Sequence, residues 1–149
     1  MSTRVLFSAF TFVLLLLTTA AVSAGTPQTF GEYTVHYNAF TSDTLQPSVA
    51  EAYNITRSKN RGMFTVTVMK KSATANGTPV RAHIIASASN LTGQFREFDV
   101  REINEGNTVY YISVFHVAHE EMLDFNLQIQ PEGATQSFTL KFRQQFYTQ

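Results

Sequence analysis

Apolar and polar residues alternate at every second position over most of this chain, and this period is typical of a β-strand with one buried face. Leu123, Phe125 and Leu127, for example, are each followed by a polar residue. Seven such runs occur, at residues 33–38, 64–69, 80–88, 94–103, 109–117, 123–130 and 138–147. Turn formers such as Asn76-Gly77 separate them. Together they predict an all-β, immunoglobulin-like β-sandwich of about seven strands.

The same alternation predicts which side chains face the core. The predicted core residues are Val66, Ile84, Val114, Phe125, Leu127, Leu140 and Phe142. Most of the thirteen phenylalanines and six tyrosines occupy core-facing positions of this kind, so packing is the default interpretation of the aromatic content. The adjacent Tyr110 and Tyr111 differ, because one of the two rings must point away from the core. That pair hints at a groove.

Residues 1–24 are predicted to be a secretory signal peptide. Arg4 precedes an apolar run that is too short to span a membrane, and Val22-Ser23-Ala24 forms a small-residue cleavage site. The mature protein is therefore expected to be a single domain of residues 25–149 that does not span the membrane. The chain contains no cysteine, which excludes disulfide scaffolds and thiolate chemistry. We predict a periplasmic location.

The charge balance argues against nucleic acid as a partner. The chain has 11 basic and 11 acidic residues, and only Arg4 among the charged residues belongs to the signal peptide. The mature domain therefore carries a slight negative charge and has no basic excess with which to neutralise phosphates.

One connection departs from the strand pattern and holds the best-defined candidate binding site. Val49, Ala52 and Tyr53 have helical spacing after Pro47, which predicts a helix of one or two turns over residues 47–53 in the first long connection. A polar string follows the helix and could hold an anionic group. The candidate binding residues are Tyr53, Arg57, Ser58, Lys59 and Arg61, together with His36 and Asn38 of the first strand.

Two further groups carry chemical interest. His116, His119 and Met122 are metal-ligand types and suggest a copper-like site, although residues 116 and 119 point to opposite faces unless the chain turns at Ala118. No tight metal site and no cofactor are therefore expected. Glu97 and Asp99, on one predicted strand face, have a spacing compatible with a glycosidase pair, but a charged edge strand explains them equally well. We expect the protein not to be an enzyme.

Several strings resemble an uncharacterised bacterial family of exported proteins, domain of unknown function 4426. They are residues 33–40, Leu45-x-Pro47-x-Val49-Ala50, Tyr53-x-Ile55-x-Arg57-Ser58-Lys59, residues 101–111 and residues 142–146. The resemblance implies a periplasmic single-domain protein and assigns no ligand or reaction.

Three functions stay open on the sequence. The first is a non-catalytic interaction module that binds another envelope protein or a peptide through a sheet edge or the helix-bearing connection. The second is a carrier of a small molecule or a copper-like metal ion. The third is an unrecognised hydrolase.

Overall fold

The computed structural model describes residues 25–149, so the predicted signal peptide lies outside the described residues. One α-helix, one 3₁₀ turn and ten strands make up this part of the chain. The strands are β1 (Gln28–Phe30), β2 (Tyr33–Thr41), β3 (Arg61–Lys70), β4 (Thr78–Pro79), β5 (Ala82–Asn90), β6 (Phe95–Phe98), β7 (Arg101–Glu105), β8 (Thr108–His116), β9 (Glu121–Pro131) and β10 (Phe138–Phe146). The 3₁₀ turn (Ser42–Thr44) and helix α1 (Pro47–Ala52) lie between β2 and β3.

The strands form two antiparallel sheets. The six-stranded sheet has the order β1-β2-β3-β8-β7, with β4 paired to the far end of β3, and the four-stranded sheet has the order β10-β9-β5-β6. The predicted all-β sandwich is thus confirmed. None of the helices formed by residues 25–149 is long and apolar enough to cross a membrane.

The main core lies between the two sheets and is rich in phenylalanine. Phe125 is 1% exposed and lies against the rings of Phe64, Phe98 and Phe142. Aliphatic side chains at the alternate positions of β3, β5, β9 and β10 complete this core, among them Val66, Ile84, Leu127 and Leu140. The two-residue period therefore located most of the core.

Two predicted core residues are only partly buried. Val114 lies on the outer face of the six-stranded sheet, because Tyr111 and Phe115 are the β8 residues that enter the main core. Phe142 does face the main core, where it stacks on Tyr37, but β10 is an edge strand and leaves the ring partly exposed.

The strand predicted over residues 94–103 is wrong. The chain forms β6 in the four-stranded sheet, crosses at Asp99-Val100, and forms β7 in the six-stranded sheet. The sequence also gave no sign of the short strands β1 and β4. The helix predicted over residues 47–53 is confirmed as α1, and it ends at Ala52.

A second, smaller core lies on the outer face of the six-stranded sheet. Ala50 of α1 and Ile55 pack there against Met63 of β3 and Ile112 of β8. Helix α1 and the residues around it therefore cover one end of an apolar sheet face that would otherwise meet water.

Candidate functional site

The segment between β2 and β3, residues 42–60, is called here the α1 connection, and it is fixed to the sandwich by one buried serine. Ser42 is fully buried, and its single hydroxyl proton is shared between the carbonyl oxygens of Thr56 and Ser58, which lie 2.8 and 3.2 Å from Oγ. The same Oγ accepts a hydrogen bond from the Ser58 backbone N–H at 3.0 Å. These bonds close the connection into a loop whose two ends are joined by Ser42.

Two arginines donate to backbone carbonyls of the α1 connection at different points along it. Arg57 Nη2 donates to the Asp43 carbonyl oxygen at 2.8 Å, within the connection itself. Arg101 Nη2, from edge strand β7, donates to the Tyr53 carbonyl oxygen at 2.9 Å, just after α1 ends. The position of α1 over the sheet is therefore determined by contacts from both sides.

The connection does not cover the apolar face completely, and a groove of about 170 Å³ is left beside it. On one side the groove is lined by Val49, Tyr53 and other residues of the connection, and on the other by strands β3, β7 and β8. The strand residues are Met63, Thr65, Ile103, Glu105, Tyr110 and Ile112. The lining is mostly apolar, with Glu105 and Thr65 as its polar members. We call this feature the α1 groove.

The structure brings only some of the predicted binding residues to the α1 groove. Tyr53 lines it, as does Tyr110, the outward-pointing ring of the tyrosine pair. Arg61 begins β3 two residues before Met63 and so belongs to the same sheet face. Lys59 is exposed in the loop beyond the groove. Ser58 lies in the loop that Ser42 binds through its backbone N–H and C=O.

His36 and Asn38 lie on the same outer face but further along β2. Asn38 pairs in register with Thr65, which lines the α1 groove, and His36 pairs with Thr67. His36 also lines an open cleft of about 860 Å³, together with Met69 and the loop that follows β3. The outer face of the six-stranded sheet therefore carries a small apolar groove at one end and a larger, more polar cleft at the other.

The two histidines next to the β8–β9 turn have different surroundings. His116 is exposed at the end of β8, and His119 Nδ1 accepts a hydrogen bond from the Thr148 backbone N–H at 3.1 Å. Within residues 25–149, no group of three or more histidine and carboxylate side chains is placed to hold a metal ion. Met122 follows on β9.

Glu97 and Asp99 do not share one strand, because β6 ends between them. Both nevertheless line a cleft at the edge where the two sheets meet, together with Glu102 and Tyr111. The Tyr111 hydroxyl donates to Glu102 Oε2 at 3.2 Å and accepts from the Ala82 backbone N–H at 2.7 Å. The hydrogen bond between Tyr111 and Ala82 joins the two sheets, since Tyr111 belongs to β8 and Ala82 begins β5.

The carboxylate in this network is held ionised. The hydrogen bond from the Asn104 side chain, and the nearby charge of Arg81 at 2.8 Å, lower the pKa of Glu102. Burial raises the pKa of the Tyr111 phenol, and the Glu102 charge acts in the same direction. Glu102 therefore accepts hydrogen bonds from its neighbours and is poorly suited to deliver a proton as a general acid.

The protein is therefore an antiparallel β-sandwich in which a helical connection packs over the outer face of one sheet. Residues 27–149 match the family model described as a domain of unknown function, DUF4426. The chain belongs to the DUF4426 family. The sequence matches no curated protein.

Solved structures agree with this assignment. A DUF4426 family protein from Pseudomonas aeruginosa PAO1 is 33% identical, with a TM-score of 0.71 over 83% of this chain and 95% of that one. A copper-bound variant of FetP from uropathogenic Escherichia coli strain F11 is 12% identical, with a TM-score of 0.59 over 85% of this chain and 97% of FetP. FetP expressed in the periplasm of E. coli BL21(DE3) is 13% identical, with a TM-score of 0.57 over 83% and 94%. The likeness to FetP shows the shared fold alone.

Proposed function

We propose that this protein is a periplasmic, non-catalytic binding module that takes up an apolar side chain of another envelope protein or peptide in the α1 groove. The observation that carries the proposal is the incomplete cover over the second core. Sheet residues and the connection line a pre-formed apolar groove, and Val49 at its rim is 37% exposed.

The size of the α1 groove favours a side chain over a small-molecule ligand. Pockets for small molecules have volumes of roughly 300–1,000 Å³, whereas this groove has about 170 Å³. A rigid aromatic or aliphatic anchor in a pocket, with a polar rim around it, is the usual centre of a protein interface. Tyr53 and Tyr110 supply aromatic walls for such an anchor.

The charged lining residue of the α1 groove is Glu105, and basic residues lie outside the groove. Arg57 and Arg101 donate to backbone carbonyls of the α1 connection, Arg61 begins β3 on the same sheet face, and Lys59 is exposed in the loop beyond. This charge pattern favours a partner whose carboxylates lie outside its apolar anchor, away from Glu105.

Filling the α1 groove tests the proposal. Thr65→Leu adds apolar volume to the groove lining, whereas Thr67→Leu makes the same change two residues along β3, on the same face but outside the groove. We expect the unmodified protein and Thr67→Leu to capture the same partner from periplasmic extract. Thr65→Leu should fail to capture it. Melting temperatures of the two variants verify that both fold. A partner retained equally by both variants would place binding elsewhere.

Charge removal gives a second, independent measurement. Lys59→Ala is expected to weaken capture and to reduce its sensitivity to salt, with the melting temperature nearly unchanged, since exposed side chains usually contribute within about 0.5 kcal/mol. Arg57→Ala is expected to lower the melting temperature as well, because Arg57 binds the Asp43 carbonyl oxygen.

A metal-ion carrier is the second candidate. His36 and Met69 line one cleft of about 860 Å³, and imidazole and thioether groups both bind copper. One protein of this fold is copper-bound. Titration with Cu(I), followed by thermal shift, tests this function, and His36→Ala should abolish any shift if the cleft is the site. An equal thermal shift in the unmodified protein and in His36→Ala would exclude this cleft as the copper site.

A further inference from the structure

The edge strand β10 is a second interaction surface of the molecule. It ends the four-stranded sheet, with β9 as its one sheet neighbour. Nine residues pair in unbroken register, from Phe138 opposite Ile129 to Phe146 opposite Glu121. An uninterrupted edge of this length offers a template on which another extended chain can pair.

The hydrogen bonds show which backbone groups face outward. The Lys141 carbonyl oxygen accepts from Gln28 Nε2 at 3.2 Å, and the Gln145 carbonyl oxygen accepts from Gln144 Nε2 at 2.9 Å. Both donors are side-chain amides outside β9, so these carbonyls lie on the free side of the strand. Because the N–H and C=O groups of one residue point to the same side in an antiparallel sheet, the free edge is formed by Thr139, Lys141, Arg143 and Gln145.

The other sheet edges are short by comparison. Strands β1, β6 and β7, which end the two sheets elsewhere, have three, four and five residues. Strand β10 has nine and contains neither proline nor glycine. Short strands, proline and charged side chains are common means of blunting an edge, and of these β10 has only the charged side chains Lys141 and Arg143.

The charges on β10 determine which strand can pair there. Lys141 and Arg143 occupy the outer face at the free edge, and residues 138–149 contain no acidic residue. Arg143 is held in place by Asp124 of β9, with N–O distances of 2.6 and 2.9 Å. Asp124 compensates the charge of Arg143, whereas Lys141 forms no ion pair with the described residues. A second copy paired about Lys141 would place two ammonium groups opposite each other, and like charges across a strand pair are destabilising. An acidic strand would bring attraction instead.

We propose that the free edge of β10 binds an extended acidic segment of a partner by strand addition, with a carboxylate opposite Lys141. This surface is separate from the α1 groove and does not depend on it. The backbone of the partner pairs with the outward N–H and C=O groups of β10, and it displaces the side-chain amides of Gln28 and Gln144 from the Lys141 and Gln145 carbonyl oxygens. The carboxylates of the partner provide selectivity.

Peptide binding to the full mature protein tests this proposal. The probe is a soluble nine-residue peptide in which glutamate alternates with valine, and two counterparts carry lysine in place of glutamate or N-methyl groups at alternate backbone nitrogens. We expect the glutamate peptide to bind at least about tenfold more tightly than the lysine peptide. We also expect N-methylation to abolish binding, because it removes the donors that a strand needs.

Charge reversal locates the binding site on the protein. Lys141→Glu should shift the preference toward the lysine peptide, whereas Lys71→Glu, an equal change of net charge in the exposed loop after β3, should leave it unchanged. Equal effects of the two variants, or full binding of the N-methylated peptide, would show general electrostatic attraction and overturn the proposal. A concentration-dependent dimer that excludes the peptide would assign the edge to a second copy instead.

Discussion

The hydroxyl of Tyr111 joins the two sheets, and its removal should be costly. In Tyr111→Phe the partly buried Ala82 N–H loses its acceptor, which is expected to lower the free energy of unfolding by about 1–3 kcal/mol. Tyr110→Phe is the matched control, because the Tyr110 hydroxyl makes no hydrogen bond with the described residues. Urea denaturation of both variants measures the difference. Equal costs would mean that the bond to Ala82 contributes little.

Glu102 gives the stability a dependence on acid pH. Its pKa is lowered in the folded state from a usual value of 4.5. A carboxyl group of this kind stabilises the fold above its unfolded pKa, and the contribution is lost as the pH falls through the folded pKa. We therefore expect Glu102→Gln to be less stable than the unmodified protein near neutral pH, and the difference in stability to narrow as the pH falls below 4.5. A constant gap in urea midpoints would contradict this assignment.

Alternation along the sequence identified the core-facing side of most strands, but it gave the wrong side of β8 at Val114 and did not give the depth of each residue. Val114 packs on the outer face beneath α1, and Phe142 is limited by the position of β10 at a sheet edge. Phe125→Ala should therefore cost about 3–5 kcal/mol, since the ring is fully enclosed, and Phe142→Ala should cost clearly less. Chemical denaturation compares the two variants, and a larger loss for Phe142→Ala would reverse this ranking.

At the level of secondary structure, the sequence predicted most strands and the helix but missed the crossing at Asp99-Val100. Strand alternation continues from β6 through to β7, and the residues between them contain no glycine or proline to mark a break. What separates the two strands is their pairing, β6 with β5 and β7 with β8, and such long-range pairing leaves no local signal.

Ser42 controls the α1 connection as a unit. Ser42→Ala removes the hydroxyl that donates to Thr56 and Ser58 and accepts from the Ser58 N–H, and it should release the connection locally, with a loss of about 1–3 kcal/mol. Hydrogen exchange should accelerate at residues 47–58 and remain slow in β9. Thr44→Ala, which removes one exposed bond to the Thr41 carbonyl oxygen, is the control. Uniform acceleration across the sandwich would show that Ser42 stabilises the whole fold instead.

At the scale of the whole molecule, the sequence indicated the connection that carries the candidate site but not the site itself. The sequence showed the length of the α1 connection and the helical spacing of Val49 and Tyr53. The α1 groove, however, is also lined by Ile103 of β7 and Ile112 of β8. That these residues lie beside Tyr53 follows from the strand order of the sheet, which the sequence does not reveal. Ser42 gave no signal, because a buried serine and a solvent-exposed serine look alike in sequence.

The distribution of histidines over the fold leads to the last prediction, that the purified protein holds no stoichiometric metal. His83 lies on β5 in the four-stranded sheet, His36 on β2 in the six-stranded sheet, and His119 is bonded to the backbone of Thr148. A tight zinc or copper site needs several such ligands on one ion, and the chain has no cysteine to complete one. Elemental analysis of protein purified without a chelator or affinity tag is expected to find less than one equivalent of either metal. One full equivalent, removed by His36→Ala, would instead favour the carrier over the interaction module as the function of this outer face.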